Sequence, residues 1–246
     1  MILRRLTENI KTQNWFAVVL DFIIVVVGVF VGLQVSNWND VKKNELSREY
    51  YLERLASDLS QTIALSEDTE ASAVESIAII ERFTTALNDP NSPAEELLAA
   101  TRAYFGEGTL MSGFGVLWGT YEDLSSAGNF SVLESPELVA ALIQLNTYFE
   151  SLSEGAFVNT DWVMPFETSL ATEFDWMRYD DKTAHLFPDL TLEEQEVMIR
   201  AQADLLRRHA ALHHWVSQYT VRSNQTAQAG AQDVLDMVQA ERGLFE

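Results

Sequence analysis

The longest apolar run in the chain has no periodicity. Residues 16–35 read FAVVLDFIIVVVGVFVGLQV, apolar throughout except for Asp21 and Gln34. At ~1.5 Å per residue such a helix covers a hydrocarbon core of ~30 Å, and Trp15 and Trp38 stand where amphipathic rings anchor a span at its two interfaces. A membrane-spanning helix is therefore expected over 15–38. A cleaved signal peptide would end its apolar run sooner, at an A-x-A-like site, whereas VGLQVSN closes this one. The expectation is an uncleaved signal anchor.

Beyond the anchor the apolar positions become periodic. Leu52, Leu55, Leu59 and Ile63 form one helical stripe, and Val74, Ile77, Ile80, Phe83 and Leu87 form another. They predict a long helix over 39–87, exposed, kinked or interrupted at the polar segment SEDTEAS and stopped by Asn88, Asp89 and Pro90. Ser92, Pro93 and Glu95 offer an N-cap, a first-turn proline and a capping-box acid for a helix reaching Gly106. GEGTLMSGFG follows as a connector, because it lacks the GK[ST] ending of a phosphate-binding loop. A short helix over 116–127 closes at Gly128, and Ser135 and Pro136 open another to about Gly155. Pro165 predicts a break near Met164 within 156–179, and 180–190 reads as loop. Thr191 and Glu194 make a second capping box for a long helix to Gly243, carrying Met198, Leu205, Leu212, Val216, Tyr219, Val234, Leu235 and Val238 at helical spacing. No segment alternates with period two. The fold class expected is all-α: one transmembrane helix continuing into a soluble antiparallel helical bundle.

Charge sharpens this division. The net charge is −21, yet Glu8 and Asp21 are the only acidic residues before Asp40. The 39–246 domain therefore carries the whole acidic excess, and it repels nucleic acid and anionic headgroups. A hydrophobic fraction of 47% and an aromatic fraction of 11% are too high for a disordered acidic tail. The absence of cysteine excludes disulfides, thiolate metal sites and cysteine nucleophiles. Arg4, Arg5 and Lys11 lie before the span and Lys42, Lys43, Arg48 and Arg54 after it, so the positive-inside count does not orient the helix. A short basic arm over 1–14 suits the cytoplasm, with the acidic domain extracytoplasmic. Leu3, Leu6 and Ile10 also allow that arm to lie on the inner leaflet as an amphipathic helix.

Within the span, Asp21, Gly28 and Gly32 are separated by seven and eleven residues, close to whole helical turns, and so share one face. A carboxylate at the centre of a span costs roughly 2.5–3.5 kcal/mol, and small residues let helices approach closely. This face is the expected contact with another transmembrane helix, of a second copy or a partner subunit, alongside membrane lipid. The alternative is an Asp21 close enough to Trp15 to reach water.

The segment LRRLTENIKTQNWFAVVLDFIIVVVGVFVGLQVSNWND resembles the N-terminal signature of a family of uncharacterised bacterial single-pass membrane proteins found mainly in Gram-negative species. TYEDLSSAGNFSVLESPEL, from Thr120 to Leu138, is similar to a second, looser segment of that family. The resemblance implies an inner-membrane protein with a helical periplasmic part. It brings no catalytic residues with it.

Candidate chemistry is sparse. His209 and His213 are four apart on the last predicted helix, which is half of a metal site. Ala210 stands where HExxH would place its glutamate, and no Glu-x-x-His pair occurs, so spacing alone favours packing or surface histidines and no metal. Trp118, Tyr121, Phe130, Tyr148, Phe149, Phe157, Trp162, Phe166, Phe174 and Trp176 suit a core better than a ligand pocket, while Trp176, Met177 and Tyr179 sit near an expected chain break, open to a partner. No GxSxG or SxxK frames a serine nucleophile. The function expected is a membrane-anchored structural or interaction protein, an accessory subunit of a larger complex, with no enzymatic activity and no cofactor. The alternatives are an extracytoplasmic ligand-sensing bundle and a metal-dependent enzyme using His209 and His213.

Overall fold

The computed structural model describes residues 15–111, 113–173 and 190–243. The arm over 1–14, the positions Phe174, Trp176, Met177 and Tyr179, and the 180–189 part of the expected loop lie outside the described residues. All described elements are helical, as expected for an all-α chain: α1 (Trp15–Asn88), α2 (Ala94–Ala103), a π-helical turn (Tyr104–Gly108), α3 (Gly119–Ser126), a 3₁₀ turn (Asn129–Val132), α4 (Pro136–Glu173), α5 (Leu192–Ala201) and α6 (Ala203–Arg242). Contacts divide the chain into two compact units, Met1–Tyr51 and Leu52–Glu246.

In the first unit, α1 is apolar and uncovered. Every large apolar side chain from Val19 to Val35 is 46–69% exposed, and the helix is long and apolar enough to cross a membrane.

In the second unit, the buried positions of α1 follow a heptad. Leu52, Leu55, Leu59, Thr62, Ser66, Ala73, Ser76, Ile80, Phe83 and Leu87 are all buried, at spacings of three, four or seven. This seam corrects two expectations. Val74 is 50% exposed and Thr62 takes the place of Ile63. Of the three readings of SEDTEAS the exposed one holds, with Glu67, Asp68, Ala71 and Ser72 exposed, and the helix is not interrupted there because Ser66 and Ala73 keep the seam closed with small side chains. Thr62 repays its burial with hydrogen bonds: its Oγ1 donates to the Leu117 carbonyl and accepts from the Leu117 N–H, both at 3.1 Å.

A second heptad runs along α6 through Leu206, Ala210, His213, Ser217, Asn224, Ala227, Ala231, Val234, Val238 and Glu241. α6 is antiparallel to α1. Arg207 Nε donates to Asn88 Oδ1 at 2.7 Å near one end, and Gln225 and Gln228 donate to the Glu70 carboxylate at 2.7 and 3.0 Å further along. It is antiparallel to α4 as well, where Trp162 stacks on Trp215 with centroids 6.0 Å apart and the Tyr148 hydroxyl donates to the Ser223 carbonyl at 3.3 Å.

Several boundaries differ from expectation. α2 has no side-chain cap, its N-cap being Pro93 and not Ser92, so the first capping box does not form. It gives way to the π-helical turn before reaching Gly106. α4 does not end at Gly155 and is not broken at Met164; it continues through Pro165 to Glu173. A proline deletes one N–H, and the packing of α4 along α6 outweighs that loss. The last long helix is two, interrupted at Gln202, whose φ of −103° and ψ of 16° leave the helical region. The capping box at Thr191 and Glu194 is present in both directions. Gly128, at φ 64°, closes the short helix in a conformation that side chains disfavour.

Candidate functional site

α2 packs its Leu97 and Leu98 into the core with Ile79, Ile80 and Phe83 of α1 and with Ile199 and Leu206 of α5 and α6. Where α2 ends, the helix widens into the π turn at Tyr104, and such widenings are frequent at functional sites. Gly108 allows this turn to sit tightly against α1. A Cβ there would meet Ile79 Cγ2 at 2.9 Å and Tyr104 Cδ2 at 3.1 Å. Tyr104 is thereby fully buried, its ring stacked on Phe83 with centroids 4.3 Å apart and planes 4° apart.

The Tyr104 hydroxyl lies 2.6 Å from Nδ1 of His209. On the far side of that ring, Nε2 of His209 is 2.9 Å from Oε1 of Glu167, and Nε2 of His213 is 2.6 Å from the same oxygen. The heptad of α6 turns His213 inward and His209 is buried beside it, each only 2% exposed. Glu167 reaches them from α4, two residues after Pro165, with its side chain 32% exposed. Burial works against its charge, but hydrogen bonds from His209 and then His213 overcome that and hold its carboxyl down at about 2. An ionised carboxylate only accepts, so both imidazoles donate from Nε2. The Nδ1 of a neutral His209 is then left to accept from Tyr104. Burial, reinforced by the Glu167 charge, pushes the Tyr104 phenol far above its usual range and keeps it protonated.

The two histidines are thus core residues and not surface ones. The sequence reading brought His209 and His213 together but missed Glu167 and Tyr104, 42 and 105 positions from His209. His214, the third histidine of that stretch, turns away and faces Glu81 at 3.5 Å.

In the anchor, Gly28 and Gly32 stand in open space, and a Cβ at either would meet nothing within 4 Å. Asp21 is exposed with them on the same helix. Trp38 is 68% exposed, and Lys42 Nζ lies 5.9 Å from the centroid of its ring. The side chain of Trp15, at the helix start, is not among those described.

The aromatic set divides. Trp118, Tyr121 and Phe149 are buried, with Trp118 and Tyr121 stacked at 5.2 Å, whereas Trp162 and Phe166 are at least half exposed. One pocket carries Asn224, whose buried Oδ1 has no hydrogen-bond partner. Its volume is about 90 Å³, smaller than the open clefts of about 600 Å³ beside Ile79, Arg82 and Glu96 and about 350 Å³ beside Tyr148 and Met237. The chain matches no family model, no curated protein and no solved structure.

Proposed function

We propose that this chain is a membrane-anchored interaction protein of the bacterial inner membrane, serving as a structural or accessory subunit of a larger membrane complex. Its arm over 1–14 is cytoplasmic, 15–38 spans the bilayer, and the acidic helical domain is periplasmic. The observation that carries this reading is the uncovered apolar surface of α1 from Val19 to Val35, since a soluble chain rarely leaves so large a contiguous apolar surface in water. Lipid covers most of such a helix. The face of Asp21, Gly28 and Gly32 meets another transmembrane helix, because lipid offers no hydrophobic gain for association and this face supplies both close approach and a polar group.

Gly28→Ile and Gly32→Ile test the contact. At either position a Cβ meets nothing within 4 Å beyond the adjoining backbone of its own helix, and isoleucine is favourable in a span, so insertion is retained. Crosslinking or co-purification from membranes at matched expression is expected to fall for both variants. Association equal to the parent's would place the contact elsewhere.

A further inference from the structure

We propose that Glu167, His209 and His213 bind one divalent first-row transition-metal ion, with Zn(II) the best match, through Oε1 and the two Nε2 atoms, and that Tyr104 is a positioning residue for His209. The proposal is independent of how the anchor associates.

Three donor atoms from two helices converge on one point, all within 4.8 Å of one another. Two neutral imidazoles and one carboxylate form a donor set that suits zinc and its neighbours and not the oxygen-seeking Ca(II) or Mg(II). At Zn–N and Zn–O distances of about 2.0–2.1 Å, tetrahedral ligands stand about 3.3 Å apart. The Nε2–Oε1 separations of 2.9 and 2.6 Å therefore need to open by roughly half an ångström, a side-chain adjustment for a Glu167 that is partly exposed, and the separation between the two histidine donors, within 4.8 Å, has to settle at the same ~3.3 Å by rotation of the imidazoles. The same exposure gives an ion a way in, and three protein ligands leave a position for water.

Tyr104 completes the case. Metal-binding histidines characteristically donate their other ring N–H to a fixed partner, which sets tautomer and ring orientation. Metal at Nε2 requires the proton of His209 on Nδ1, 2.6 Å from the Tyr104 oxygen. A phenol can accept as well as donate. When the His209 proton moves from Nε2 to Nδ1 and the phenol turns its own hydrogen away from the ring, the metal-free arrangement becomes the ligating one with no net change in protons.

The test uses the full-length, tag-free chain in detergent, stripped with chelator and titrated with Zn(II) against a competing dye, with thermal unfolding followed in parallel. The parent is expected to take up one equivalent and to gain thermal stability on doing so. Co(II) in place of Zn(II) is expected to give the visible spectrum of a nitrogen- and oxygen-ligated ion. Glu167→Gln and His213→Asn should lose that equivalent, His214→Ala should keep it, and Tyr104→Phe should keep the stoichiometry with affinity about 10–100-fold weaker. Circular dichroism separates loss of the site from loss of the fold, and should either ligand variant unfold, Tyr104→Phe decides. The proposal is overturned if the parent takes up no Zn(II), if Zn(II) uptake survives in folded Glu167→Gln and His213→Asn, or if Tyr104→Phe binds as the parent does.

Discussion

Glu167 is the residue on which the buried polar cluster turns. Its carboxyl sits at about 2 in the folded chain against an ordinary 4.5, so its contribution to stability is fully present above about pH 4.5 and is lost as the pH falls toward 2. Glu167→Gln keeps the shape but removes the charge that two imidazole N–H groups address. A charge-assisted bond is worth about 1.5–3 kcal/mol, and partial exposure lowers that, so the variant should unfold about 1–2 kcal/mol more easily at pH 7. The gap between parent and variant melting temperatures should close between pH 4.5 and pH 2. A gap unchanged across that interval would show that charge plays no part. The cluster was half legible in the sequence: counting back from Val234 in sevens reaches Ala227, Thr220 and His213, which marks His213 as a seam position from spacing alone. Glu167 gave no such signal, because it enters from another helix and stands among exposed neighbours such as Phe166.

At the scale of elements, periodicity served well where apolar residues mark the seam and failed where small polar ones fill it. Thr62, Ser66 and Ser76 are buried in α1, yet a hydrophobic count reads them as surface, which is why one continuous seam looked like two stripes with a gap. Pro165 and Ser92 show the opposite error. Both carry strong local signals, and tertiary packing overrides one while the other forms no cap bond. At Thr191 nothing competes, and the capping box forms as the residues specify. The π turn had no readable signal at all, since its widening follows from seating Tyr104 against α1. It is sensitive to one methyl group. Gly108→Ala drives a Cβ to 2.9 Å from Ile79 Cγ2, an overpacking expected to cost about 1–3 kcal/mol. Denaturant unfolding should show that loss, and stability equal to the parent's would mean that the turn relaxes freely.

For the whole molecule, the division between an apolar run with Asp21 as its one charge and a domain carrying nearly all of 37 acidic residues was the plainest feature of the sequence, and α1 keeps it. The compact second unit begins at Leu52, later than the end of the span at 38, because residues 39–46 remain helical and exposed before the first buried positions appear. Protease added to intact spheroplasts tests the orientation of the span directly. The account predicts that the acidic domain is digested, leaving a small protected fragment containing 15–38, and that the full chain stays with the membrane through an alkaline carbonate wash. A domain protected until the spheroplasts are lysed, or a chain released by the wash, would contradict it.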